Sequence, residues 1–423
     1  MTDTSLRAED IDLSTQEFWE LPLDQRYQAF AALRRDRPYG FFVEPDVPLE
    51  GYEPGPGYYA LVRHADVLEV SKRPLDFRSS PSAVSIMDMP AEFGEFFGSM
   101  INMDDPRHAR LRKIVSGAFT PRMLQRILDD VQRIATEVVD GVIDKGEIDL
   151  VADLAAPFPL TIICDMMGIP RSQMATVLHS TNIILSGGDP ELLPPDVDPA
   201  TELLNAGLAL AMLMGEIVAD RRANPTDDLT SALANTEVDG EVLTDAEICS
   251  FFILLVVAGN ETTRTAISHG VNVLHLFPEQ KRIWQADIDG VSRTAVEEIV
   301  RFSTPVTYMR RTAARDLDLN GTAFKEGDKF LLFYNSANRD EAVFRDPDVF
   351  DVRRDPNPHV GFGGPGPHFC LGAHLARREI TVMFHELFKR MPDLDVAGEP
   401  DQLVSNFING IKRLPVTFTP SSR

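Results

Sequence analysis

One stretch of the chain concentrates more chemistry than any other: Gly361-Phe362-Gly363-Gly364-Pro365-Gly366-Pro367-His368-Phe369-Cys370-Leu371-Gly372. Its glycines let the backbone turn tightly around something placed against a cysteine, and Cys370 is the residue being presented. A helical pattern begins at the cysteine, so the free N–H groups and positive dipole end of that helix favour a thiolate there, which is a soft, strong iron ligand. Three other readings compete. Gly361, Gly363 and Gly366 satisfy G-x-G-x-x-G, but Pro365 and Pro367 remove donors that a phosphate cradle needs. His368, Cys370 and His374 offer zinc ligands without the second cluster that completes a tetrahedral site. A plain buried cysteine has no use for so many glycines.

A second constellation lies in FFILLVVAGNETTR, where Ala258, Gly259, Glu261 and Thr262 sit mid-way along an apolar helical pattern. An acid beside a hydroxyl inside such a helix is costly unless it has work to do. Taken alone, a threonine bonded to the carbonyl one turn back and a surface glutamate explain it better. Glu298 and Arg301 have the E-x-x-R spacing that lets both side chains pair on one helix face, and Arg354 follows Phe350 by four residues. In DDPRHARLR, His108 and Arg112 stand four apart on one helix face, and PVTYMRRTA carries Arg310 and Arg311. Residues 107–126 hold six Arg or Lys and no acid.

The elements that must position these residues are mostly helical with minor sheet. Residues 23–35 suit a short amphipathic helix, 58–62 a strand, and 65–158 a mainly helical region interrupted by the proline-bounded segment 79–105, a candidate functional loop. Residues 160–185 and 200–222 pattern as two helices joined by SGGDPELLPPDVDP, a candidate lid. Thr244 is the expected N-cap of the long apolar helix, with Glu247 at the capping-box position and an end near Leu276. Residues 316–335 alternate like strands, and a final helix is expected from about Leu371 to Met391. No repeat or low-complexity tract divides the chain, so residues 1–423 are expected to form one domain with a poorly ordered leader over 1–17.

Composition excludes several function classes. Sixty-five Asp and Glu against 41 Lys and Arg give a formal charge of −24, which repels nucleic acid and anionic membranes. Three widely spaced cysteines, Cys164, Cys249 and Cys370, fit a reducing compartment and not a disulfide framework. The N-terminus has neither the basic nor the apolar region of a signal peptide, and the strongly apolar run 251–259 is about half the ~20 residues that a membrane helix needs. The expectation is a cytoplasmic protein without a membrane span.

Taken together these motifs resemble the cytochrome P-450 family of haem-thiolate monooxygenases. Gly366, His368, Cys370 and Gly372 match its haem-binding loop in register. Phe362 stands one residue further from the cysteine than the commonest spacing, with Gly363 where the ring usually falls. The resemblance implies a mainly α fold with small sheets and haem b between the long core helix and the helix after the cysteine loop. Cys370 would be the axial ligand, Ala258 and Gly259 would let dioxygen approach, and Glu261 and Thr262 would relay protons. By the same resemblance His108, Arg112, Arg311 and His368 would hold the propionates, with Arg310 as the alternative to Arg311, and Glu298, Arg301 and Arg354 would form a structural triad.

Over essentially the whole chain the sequence is most similar to the mycobacterial branch of the family that oxidises methyl-branched lipids and sterol side chains, and within it to the methyl-branched lipid omega-hydroxylases. The implied substrate is a branched fatty acid or isoprenoid oxidised at or near its end. Ile86, Met87, Phe97, Met100, Phe252, Leu255, Val256, Val306, Met309 and Phe407 would line its pocket. A ferredoxin and its reductase would supply electrons, docking by the basic helix. Alternatives are a sterol side-chain hydroxylase and a haem-based lipid or gas binder without turnover.

Overall fold

The long apolar pattern forms the helix on which the other elements are hung. In the computed structural model, which describes residues 7–45, 55–185, 189, 191–192, 197–237 and 239–422, it runs from Asp245 to Leu276 over 32 residues. Thr244 caps it as expected: its hydroxyl accepts from the Glu247 N–H at 3.2 Å while the Glu247 carboxylate accepts from the Thr244 N–H at 2.9 Å. Helices Pro157–Met167, Met174–Leu185, Pro199–Ala223 and Ala373–Arg390 pack against it. The approach of the last is close, since a Cβ added at Gly270 would stand 2.6 Å from the Phe384 ring.

Residues 160–185 do not make the single helix that their apolar pattern suggests. Gly168 ends the first helix in the left-handed region, with φ of 71°, and Pro170 follows before the second begins at Met174. A glycine just past a helix end with a proline beyond it is a stop signal that outweighs the continuing apolar run. Segment 79–105 also has more structure than expected, with helix Ala91–Gly98 and a short turn of helix at Ser99–Asn102. Asn102 ties it together, donating to the Gly94 carbonyl and accepting from the Ala83 N–H, both at 2.8 Å.

The largest sheet has the order Tyr39–Phe42, Tyr58–Leu61, Lys329–Phe333, Tyr308–Ala313, Phe77–Arg78. Only Tyr58–Leu61 and Lys329–Phe333 run parallel. Asn320 and Gly321, with φ of 52° and 85°, turn the hairpin Leu317–Leu319 to Thr322–Phe324, the two-residue turn that suits strand twist. Within the leader, residues 8–10 form a short turn of helix. Ala8, Ile11 and Leu13 are buried against the sheet's aromatic cluster, and the Trp19 indole N–H donates to the Leu13 carbonyl at 3.0 Å. Most of the candidate lid, residues 186–188, 190 and 193–196, lies outside the described residues.

Two helices are long and apolar enough to cross a membrane by length and composition, Pro199–Ala223 and Asp245–Leu276, with mean hydropathy of 1.5 and 1.3. Counting only an unbroken apolar run missed them. The second lies within the protein core, where most of its apolar residues are buried. The first covers it on one side and leaves Leu204, Leu208 and Met212 exposed.

Candidate active site

The cysteine loop is closed by the Cys370 N–H, which donates to the Phe362 carbonyl at 3.0 Å. Gly363 turns with φ of 87°, and a Cβ at Gly366 would collide with the Ser71 carbonyl, so these two positions need glycine for different reasons. The following helix starts at Ala373, two residues later than expected. Cys370 has accessible surface, yet it is enclosed closely enough that burial is the largest influence on its thiol and pushes it up. The Gly372 N–H and the Arg112 and Arg377 guanidiniums act in the opposite sense. The helix-start effect therefore exists and is outweighed, and a sulfur in this setting ionises beside a metal cation.

Phe362 supplies the ring beside the loop, with the Arg377 guanidinium 4.3 Å above it. Arg377 in turn donates to Glu297 at 3.0 Å, and the same carboxylate accepts from His359 Nε2 at 2.9 Å. His359 Nδ1 accepts from the Gly361 N–H at 3.1 Å, which fixes the proton on Nε2. Burial pushes the Glu297 carboxyl up, but its bonds to His359 and Arg377 outweigh burial and hold it at about 2. Sequence reasoning missed this unit. Its one local trace is that Glu297 precedes the E-x-x-R glutamate.

Next to the loop lies a cluster of cationic groups short of anions. Arg311 is 7% exposed, and among the described residues neither it nor Arg112 has a carboxylate partner. Arg311 donates to the Arg310 carbonyl at 2.7 Å and Arg112 to the Phe369 carbonyl at 2.7 Å. Burial pushes the Arg311 guanidinium down. The His108 and His368 rings lie tilted by 34° with centroids 4.2 Å apart, and His108 Nε2 is buried with no partner among the described residues. His368 meets the Ser79 hydroxyl at 2.9 Å and is held at about 3 by burial, then by Arg311, His108 and Arg112. Arg310 faces elsewhere and is bonded to Asp88, so of the two arginines it is Arg311 that lies beside His368.

Buried cations without counter-charges are costly, and a dianionic edge would neutralise them. Two residues after Cys370, a Cβ at Gly372 would meet nothing within 4 Å, which leaves open space at the end of the loop. The sulfur donor, the unpaired cations and that open space fit a haem.

On the long helix, Ala258 is exposed and Leu254, Leu255 and Thr262 are half-buried although they lie mid-way along the core element. Leu255 and Thr262 are seven residues apart, two turns on one face, so this accessible stripe marks an internal cavity. The Thr262 hydroxyl donates to the Ala258 carbonyl at 2.7 Å. Glu261 is buried, not at a surface, and is paired with Arg264, which also donates to Asn182 at 3.1 Å.

The expected lining residues divide. Val306 bridges to Ile408 and packs with Phe407 on Leu185 and Leu403, and the Phe407 and Tyr308 rings are 5.3 Å apart. Ile86 joins the Tyr308 cluster and Met87 is half-buried. Phe97 packs on helix Pro199–Ala223, 2.6 Å from where a Cβ of Gly207 would stand. Met309 packs on the sheet with Leu332, and Met100 is buried in the main core. Phe252 and Val256 are both 0% exposed and packed in that core.

Glu298, Arg301 and Arg354 meet as expected. Arg301 forks onto Glu298 with two bonds of 2.7 Å, and Arg354 Nε reaches the same carboxylate at 3.0 and 3.1 Å. Asn357 adds a bond at 3.1 Å. The basic helix is less available for docking than its sequence suggests. Arg107 pairs with Glu95, Arg110 with Glu241 and Glu247, Lys113 with Asp239, Arg122 with Asp227 and Arg126 with Asp130, which leaves Arg112.

Comparison with known proteins agrees with this geometry. The cytochrome P450 family model matches residues 95–391. The chain is 51% identical over 413 residues to the methyl-branched lipid omega-hydroxylase of Mycobacterium tuberculosis, covering 97% of this chain and 95% of that one. It is 40% identical over 371 residues to the steroid C26-monooxygenase of Mycolicibacterium smegmatis, covering 87% and 85%. The solved structure of a Mycobacterium marinum cytochrome P450 in complex with pseudoionone has a TM-score of 0.91 at 42% identity, covering 97% of this chain and 98% of that one. The chain belongs to the cytochrome P450 family. It is a monooxygenase whose cofactor is a cysteine-ligated haem iron and whose co-substrate is dioxygen.

Proposed function

We propose that the chain hydroxylates a long methyl-branched lipid, a branched fatty acid or an isoprenoid, at or near its chain end, with Cys370 as the residue whose thiolate would hold the haem iron. The observation that supports the site assignment is the Cys370 thiol near Arg112, in a loop whose His368 lies against Arg311 and against His108 with its unpaired Nε2. The substrate class rests on the 51% identity to the methyl-branched lipid omega-hydroxylases.

When bound, haem supplies the reductive activation of dioxygen that places one oxygen atom in a C–H bond. His108, Arg112, Arg311 and His368 would hold its carboxylates. Ala258 and Gly259 keep the long helix thin where dioxygen must enter. Thr262 engages its proton with the Ala258 carbonyl, so the Oγ1 lone pairs can order a water, and rotation about χ1 frees the proton for donation. Glu261 passes a proton inward when its pair with Arg264 loosens. A terminal methyl has the strongest C–H bonds of such a chain, so pocket shape must outweigh reactivity. Ile86, Met87, Val306 and Phe407 provide that wall, with Phe97 and Leu255 further along it.

Electrons would come from a ferredoxin and its reductase, and three free cysteines suit a cytoplasmic setting. A second reading, sterol side-chain hydroxylation, is favoured by the 40% identity to a steroid C26-monooxygenase. One titration series separates them: branched fatty acids, isoprenoids and sterols are added while the Soret band is followed, and products are identified by mass spectrometry. Branched lipids should bind and yield terminal alcohols. Binding of ring-intact steroids alone would overturn the first reading, and binding with no product from any lipid under reduced ferredoxin would leave a carrier. Cys370→Ser should lose the thiolate signature of the ferrous carbon monoxide spectrum.

A further inference from the structure

Strand Tyr308–Ala313 carries two adjacent arginines, and neighbouring strand residues face opposite sides. Arg311 turns toward His368 and Tyr334. Arg310, 1% exposed, turns toward the segment before helix Ala91–Gly98. Its Nη1 donates to the carbonyls of Ser85 and Ile86, each at 3.1 Å, and of Met87 at 3.3 Å. Its Nη2 donates to Asp88 at 2.5 Å, and its backbone N–H to the Ala83 carbonyl at 2.7 Å. Lys329, 3% exposed and opposite Thr312 on the next strand, reaches the same turn. Its Nζ lies 2.8 Å from Asp88, 2.5 Å from Glu44 and 3.4 Å from the Ile86 carbonyl.

Three successive carbonyls on one guanidinium fix the path of a turn that has no helix or strand of its own. The second nitrogen of the fork holds Asp88 at the same time, which a single ammonium on a shorter reach does not do. The charge is shared out by Asp88: burial pushes its carboxyl up, but bonds from Lys329 and Arg310 prevail and hold it below the usual range. The turn carries Ile86 and Met87.

We infer that Arg310, supported by Lys329 and Asp88, is a positioning residue for chain-end selectivity, holding Ile86 and Met87 against the tip of the substrate without touching it. This rests on the lipid-hydroxylase reading above. Moving a reacting carbon by about 1 Å changes rate by roughly a hundredfold, and adjacent carbons of an alkyl chain differ in position by about that much. A loosened turn therefore admits the next carbon to the reacting position.

The test uses the holoenzyme with reduced ferredoxin and an iso-branched fatty acid, whose single methyl on the penultimate carbon creates a weak tertiary C–H beside the strong terminal ones. Wild type should give mainly the terminal alcohol. Arg310→Met should lower the ratio of terminal to tertiary alcohol tenfold or more, with the ferrous carbon monoxide spectrum unchanged. Arg310→Lys should not restore the ratio, and Asp88→Asn, which spares the carbonyl bonds, should lower it severalfold. Ile86→Ala removes the wall directly and should reproduce the change even if Arg310→Met does not fold. The inference is overturned if the ratio stays at the wild-type value in Arg310→Met, or in both Asp88→Asn and Ile86→Ala, while turnover alone falls. Absence of any hydroxylated product from wild type would instead sink the lipid-hydroxylase reading.

Discussion

Thr262, half-buried, and Glu379, buried, show how differently two polar side chains of one molecule can be tested. Thr262 is proposed to deliver a proton from Oγ1, so Thr262→Ala should keep binding lipid while product per dioxygen consumed falls by about tenfold or more, as measured by coupled oxygen uptake and product assay. Glu379, on the helix after the cysteine loop, is 3% exposed, and burial pushes its carboxyl up to about 8 despite a hydrogen bond with Thr263. The folded protein holds this proton where the unfolded chain, titrating near 4.5, has released it. Its contribution is thus fully present below about pH 4.5 and is lost as pH rises toward 8, at up to about 1.4 kcal/mol per pH unit. Glu379→Gln should raise the melting temperature relative to wild type at pH 8, and the advantage should vanish at pH 4. An equal difference at both values would show that Glu379 does not stay protonated.

At the scale of elements, the Glu298 carboxylate joins helix Ile288–Ser303 to the irregular run that leads into the cysteine loop. Glu298→Ala leaves Arg301, 0% exposed, without its carboxylate counter-charge, and should cost about 3–5 kcal/mol in denaturant unfolding. Glu298→Gln keeps an acceptor and should cost less. Such local arrangements were legible from sequence, because E-x-x-R, the Thr244 capping box and the glycine loop are defined by residues three or four apart. Other features were not. The unit of Glu297, His359 and Arg377 is assembled across 60 to 80 residues, and no periodicity reports it. Phe252 and Val256 look like lining because both the cavity side and the core side of the long helix are apolar, so hydropathy alone does not set its rotation. The stop at Gly168 was visible, but the apolar pattern resuming after Pro170 masked it.

The whole molecule carries a formal charge of −24, and the basic residues of helix Arg107–Ala118 other than Arg112 have carboxylates beside them, Asp105 in the case of His108. Attraction of an acidic donor protein is therefore weak. Added salt should speed reduction by an acidic ferredoxin up to roughly 0.2 M, because screening relieves repulsion between two anions. Stopped-flow reduction that slows steadily with salt would show a local attractive patch instead. The side-by-side arginines of strand Tyr308–Ala313 constrain how such a molecule can diverge. Insertion or deletion of one residue ahead of them would invert the strand, aiming the guanidinium that clasps carbonyls at the histidines and the other at the turn. Segment length is thereby frozen, and adaptation to lipids of other shapes has to proceed by exchanging side chains within residues 83–88.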